Sequence, residues 1–289
     1  MILLIIAIVI RIIVNPISNV FQKQLTLVQH PLFVNLVSYA ILSFVSLFLL
    51  LDFPFRSISI YFWIYSIIGG ICGALGNGFI VKALEQGQLS VLGPINAYKS
   101  LVGVIFAFLI IGELPNAWGF LGIACIIIGS YFVLDNENGR FSWNIFKQKS
   151  IQFRLAALVL TGIQAVFDKR VIQEAGLIYA FAGWCIFGLL FSLPLFLTTQ
   201  CSFRAQWKEV SKPVMLKYFG LLISIALMVV TTNYAFAHMK VGTALALFQI
   251  SILMSVLFGH HFFQESGVVK KIVGSTIMIV GSVLILILN

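Results

Sequence analysis

Charge is scarce in this sequence. Asp, Glu, Lys and Arg make up 9% of 289 residues, where a soluble domain carries roughly 25%. So few charges cannot cover a water-facing surface, which excludes a soluble enzyme, a disordered chain and a DNA-binding protein. The formal net charge of +9 does not point to nucleic acid, because the basic residues lie in short linkers between long apolar runs, as they do at a membrane surface. Cysteine is rare too. Cys72, Cys125, Cys185 and Cys201 show neither a disulfide framework nor metal-ligand spacing and read as small packing residues, so no metal site is expected. There is no glycine-rich turn between a strand and a helix, hence no cofactor site. Met1–Val14 lacks a basic start and a small-residue cleavage site and does not read as a signal peptide. Long polar linkers are missing as well. The longest, 135–150 and 200–213, are too short to hold a domain.

What is abundant is hydrophobic sequence, 61% of the chain. A helix needs about 20 apolar residues to cross a bilayer. The runs at 2–22, 32–51, 59–83, 89–111, 115–134, 152–172, 177–198, 214–237, 242–263 and 267–288 predict ten such helices. They are too long, and alternate too little, for the strands of a membrane barrel. The fold class expected is an all-α integral membrane protein.

The two halves match each other. Ala83, Val104, Phe106, Glu113, Gly122, Gly129 and Ser130 meet Ala235, Val256, Phe258, Glu265, Gly274, Gly281 and Ser282 at one fixed offset. At a slightly shorter offset, Ile17, Val20, Phe21 and Lys23 meet Ile163, Val166, Phe167 and Lys169. Two units follow, 1–135 and 151–289, of five spans each. Five is odd, so the second unit enters the membrane from the opposite side. Inverted repeats are a recurring plan of secondary transporters, with the solute near the midplane between the halves.

These residues resemble the drug/metabolite transporter superfamily, EamA-type branch. The likeness is clearest over Ala83–Leu134 and recurs over Ala235–Leu286, carried by Pro94, the Gly112-Glu113 step and the helix glycines Gly122 and Gly129. The second repeat departs twice, with Ala246 in place of the proline and Gln264 before Glu265. The resemblance implies two inverted five-helix repeats around a central cavity, alternating access and both termini in the cytosol. The basic residues argue the reverse orientation. Arg140, Lys147, Lys149, Arg204, Lys208 and Lys212 lie in linkers on one side, and Arg56, Lys169, Arg170 and Lys240 on the other, which by the positive-inside rule puts the termini outside.

Polar residues inside the spans mark the candidate site, since intramembrane charge is costly and faces a cavity or a partner. Arg11, Asn15, Ser18, Asn19 and Gln22 share one face of the first helix, with Pro16 predicting a kink. Lys99 and Asn96 lie on the fourth span, Gln164 on the sixth and Gln249 on the ninth. Arg11, Asn15, Asn19, Asn96, Lys99, Gln164 and Gln249 are therefore the predicted solute-binding residues. Asp168, followed by Lys169-Arg170, reads as an interfacial acid, and no carboxylate is expected in the middle of a span. Buried cations without a buried acid favour a solute bearing a carboxylate or other anionic group. Pro16, Pro94, Glu113, Glu265, Gly122, Gly129, Gly274 and Gly281 read as structural or gating residues. The glutamates are expected to cap the last helix of each repeat, and the glycines to let helices approach closely.

The function expected is export of a small metabolite, an amino acid or organic acid, by a multi-pass protein of the cell membrane. It would work in the bilayer as a monomer or homodimer, without nucleic acid. Efflux of toxic or cationic compounds is the alternative within transport, and a non-transporting scaffold or channel subunit the alternative outside it. No catalytic motif of a membrane enzyme is present.

Overall fold

The computed structural model describes residues 1–51, 58–102, 116–134 and 143–288. The described residues contain helices and no strand. In order these are α1 (Ile2–Thr26), α2 (Pro31–Leu47), α3 (Ile60–Gln86), the short α4 (Leu89–Leu92), α5 (Ala117–Val133), α6 (Lys149–Leu197), the short α7 (Phe203–Lys208), α8 (Lys212–His238), α9 (Val241–Phe248), α10 (Ser251–Phe263) and α11 (Val268–Val283). Among the described residues seven helical stretches are long and apolar enough to cross a membrane, with α9 and α10 counted as one, and α5 is a shorter apolar helix. The last nine residues of the predicted fourth span, 103–111, and the linker residue Glu113 lie outside the described residues.

Local sequence explains where the helices start and bend. His30 caps α2 by accepting the Leu32 N–H through its ring, with Pro31 at the first position. Ser59 caps α3 in the same way through its hydroxyl and the Tyr61 N–H. The 49-residue α6 is two helices joined at Gly176, whose φ of 82° lies where side chains are strongly disfavoured. This is the boundary expected between the sixth and seventh spans. Pro16, by contrast, sits inside an α1 that continues through it.

The main seams all join the two repeats: α1 packs on α8, α3 on α6, and α5 on α11. The last seam is built by glycine. A Cβ at Gly122 would lie 2.6 Å from the Gly281 carbonyl oxygen, and one at Gly129 would lie 2.5 Å from that of Gly274. The reverse contacts are equally close, at 2.5 and 2.6 Å. The pairing 122 with 281 and 129 with 274 makes the helices antiparallel. Because 122 corresponds to 274 and 129 to 281, each pair is also the symmetry mate of the other. Apolar side chains such as Ile5, Phe44, Ile127, Leu216 and Phe219 cover the outside, as in a helix bundle facing lipid.

Candidate solute cavity

Between the repeats lies a cavity of about 150 Å³. Every predicted binding residue lines it: Arg11, Asn15, Asn19, Asn96, Lys99, Gln164 and Gln249. Helix periodicity accounts for α1, whose Arg11, Asn15 and Asn19 recur one turn apart on a single face. The Arg11 Nε donates to the Thr232 hydroxyl at 2.7 Å, and its guanidinium stands 4.9 Å from the centroid of the Phe248 ring. Its buried Nη1 has no partner. Asn15 reaches Ser251 at 3.4 Å. The buried Gln249 Oε1 and Tyr39 hydroxyl, both on lining residues, also lack partners.

Small residues on α3 make the room. A Cβ at Gly73 would lie 3.4 Å from both the Gln164 side chain and the Tyr39 hydroxyl, and one at Gly69 would lie 3.4 Å from Asp168 Oδ1. The row Gly69, Gly73, Asn77 therefore admits the polar face of α6. Behind it runs a chain of amides. Gln22 donates to Asn77 at 3.2 Å, Asn77 to Asn35 at 2.6 Å, and Asn35 to the Ala74 carbonyl at 3.2 Å.

Two charged residues were misplaced or missed by sequence reasoning. Asp168 lines the cavity and accepts from Gln164 at 3.0 Å; it is not an interfacial acid neutralised by its neighbours. The reason is the length of the helix, which continues about two turns beyond it to Gly176. Lys169 turns away and donates to the Phe236 carbonyl. Arg154 also lines the cavity, is buried, and donates from Nε to the Leu92 carbonyl at 2.9 Å. That carbonyl is available because α4 ends at Gly93 and Pro94 begins a 3₁₀ turn, Pro94–Ala97. The second repeat breaks without a proline about one turn past Ala246, the counterpart of Pro94, between α9 and α10 at Gln249 and Ile250. Arg11, Arg154, Lys99 and Asp168 thus share one cavity, with Lys99 in electrostatic reach of the other three.

Next to the cavity face of α1 a charged cluster ties the two repeats together. Lys23, one turn beyond Asn19, donates to Glu265 Oε1 at 2.8 Å and to the Gly87 carbonyl at 2.7 Å. The same carboxylate accepts the Leu89 and Ser90 N–H groups at 2.8 and 2.7 Å. Glu265 therefore caps α4 of the other repeat. The expectation that it caps the last helix of its own repeat is corrected: Gly267 occupies the position before α11, with no side-chain cap. Lys271 adds bonds to Gln88 and to the Ser90 hydroxyl, both at 2.8 Å. Burial pushes the Glu265 carboxyl up, but the bonds from Lys23 and Ser90 outweigh it and hold the group below its ordinary range. The predicted counterpart, Glu113, lies outside the described residues.

The sequence model of the EamA-like transporter family matches this chain twice, over residues 2–135 and 148–287. A crystal structure of a protein 17% identical aligns with a TM-score of 0.63, over 98% of this chain and 96% of that one, which supports the fold. No curated protein sequence matches.

Proposed function

The chain belongs to the EamA-like transporter family, and from that premise we propose that it exports a small anionic or zwitterionic metabolite, an amino acid or organic acid, by alternating access. The membrane is the cell membrane, and the working unit a monomer or homodimer. The observation that carries the reading is the Arg11 guanidinium, whose buried Nη1 lacks a partner in a cavity between the repeats. A buried polar group without a partner is costly and is satisfied by water or by a ligand. A carboxylate suits a guanidinium in charge and in shape. Asn15, Asn19, Asn96, Gln164 and Gln249 would orient the solute by neutral hydrogen bonds, and Lys99 and Arg154 would complete its charge. Rocking of the two five-helix units about the glycine seam would open the cavity to each side in turn.

Asp168 supports a second reading, efflux of cationic compounds, because it supplies a carboxylate to the cavity. It stands there against three cations, and that reading is the weaker. The test is a comparison of the medium of cells producing wild-type protein with that of cells producing Arg11→Ala at equal membrane abundance, by mass spectrometry. An amino acid or organic acid should accumulate with the wild type and fall about tenfold or more with the variant. Equal release, or movement of cationic compounds alone, would overturn the proposal.

A further inference from the structure

The charges that line the cavity do not cancel. Arg11 and Arg154 project from α1 and α6, the first helices of the two repeats, and Lys99 and Asp168 complete the set. Lys99 and Asp168 carry opposite charges and balance each other, whether they are ionised or have exchanged a proton. The two guanidiniums cannot be balanced that way, because arginine stays protonated in proteins. Their present partners are neutral: Arg11 donates to the Thr232 hydroxyl and lies near Phe248, and Arg154 donates to the Leu92 carbonyl. The ion pair Lys23–Glu265 lies one turn past the lining residue Asn19 and is itself paired. Among the described residues the cavity therefore holds an excess of two positive charges inside a helix bundle of low dielectric.

From this excess we propose that the solute is a compact dianion, which neutralises both guanidiniums at once. The inference rests on the transport reading above and narrows it. A zwitterion brings no net charge and would leave both excess charges uncompensated, at a cost that grows with burial. A cation would add a further charge. Two chemistries supply a compact dianion, a dicarboxylate and a phosphate monoester, and both match the planar N–H fork of arginine. Asp168 sets the limit on charge by repelling a second anionic group placed on its side of the cavity. Gln164 holds that carboxylate in place with its 3.0 Å bond.

Asp168 also gives the test its sign. Purified protein in detergent is titrated with succinate, glycerol 3-phosphate, glutamine and putrescine, and the shift in thermal unfolding gives the affinities. Succinate or glycerol 3-phosphate should stabilise the protein well above glutamine, and the better of the two identifies the source of the dianion. Asp168→Asn should tighten that dianion about threefold or more, since a like charge is removed. Arg154→Gln should weaken it about tenfold or more, and Arg154→Lys should restore part of the loss. If Arg154→Gln does not fold, Arg11→Gln reads the same charge from the other helix. Binding of glutamine in preference to both dianions, weakened by Asp168→Asn, would overturn the dianion and leave the transporter standing. Absence of a shift with either dianion up to about 10 mM, a concentration that gives measurable stabilisation even for millimolar binders, would also overturn it. The cell-release comparison, run in parallel, decides the transport reading on its own.

Discussion

Two basic residues of α1 have opposite fates. Arg11 and Lys23 are twelve residues apart, about 18 Å along a helix. Lys23 is fully engaged, by a carboxylate and a carbonyl, in a knot that also satisfies the Leu89 and Ser90 N–H groups. Arg11 keeps a buried nitrogen without a partner, and so do other polar atoms around the cavity. Composition does not distinguish the two; the opposing repeat does. It offers Glu265 to Lys23, and a hydroxyl and an aromatic ring to Arg11. A paired charge holds the fold, while an unpaired one waits for a ligand. The tight regions of this molecule, the Lys23–Glu265 knot and the glycine seam, should thus respond to mutation through stability, and the slack region, the cavity, through transport.

The largest effect that can break this comparison is at Glu265. Glu265→Ala removes the ion pair together with the acceptor of two backbone N–H groups and leaves Lys23, largely shielded from solvent, with only the Gly87 carbonyl and the Phe263 ring. The expected loss is about 3–5 kcal/mol, read as a lower unfolding temperature or denaturant midpoint in detergent. The acid limb follows in sign. The folded-state pKa of Glu265 lies below its ordinary value of 4.5, so its contribution is complete above that pH and is lost as pH falls through the lower folded value. Glu265→Gln should flatten the fall in stability below pH 4.5. If Arg11→Ala, from the cavity, destabilised as much as Glu265→Ala, the division into tied and waiting charge would fail.

Much of the tight region was legible in the sequence. The repeated glycines at 122, 129, 274 and 281 predicted a close helix approach, and the antiparallel pairing adds only which glycine meets which. The seven residues predicted to bind solute all line the cavity, three of them from the one polar face that helical periodicity gives α1. Asp168 was not legible. A carboxylate followed by Lys-Arg has the composition of a membrane boundary, and only the continuation of α6 toward Gly176 moves it inward. Arg154 was hidden for a related reason. It stands at the edge of a predicted span, and what draws it into the cavity is a carbonyl freed in the other repeat by Gly93 and Pro94. The partner of Glu265 was out of reach too, because a carboxylate at a helix start can cap any helix end the fold brings to it.

The second prediction sharpens the seam. Gly281→Ala places a methyl where the nearest atom, 2.5 Å away, is the Gly122 carbonyl oxygen. Backbone cannot move aside as a flexible side chain can, so α5 and α11 must separate. The expected cost is about 1–3 kcal/mol in thermal unfolding. A variant as stable as the wild type would show that the seam has slack and does not fix the two repeats together.

The smallest effect has the opposite sign and comes from α6 beside the cavity-lining Lys99. Gly162 is a helical glycine on α6, and a Cβ there would meet nothing closer than the Lys99 Cγ at 3.8 Å. That is ordinary contact, so alanine gains helix propensity without a clash. Gly162→Ala should raise stability by about 0.5–1 kcal/mol, seen as a higher unfolding temperature under the conditions used for Gly281→Ala. The same added methyl would then cost stability at one glycine and add it at another, and only the distance to the opposing repeat separates them. A loss at Gly162 as large as that at Gly281 would mean that α6 is packed against Lys99 as closely as the two helices of the seam are packed on each other.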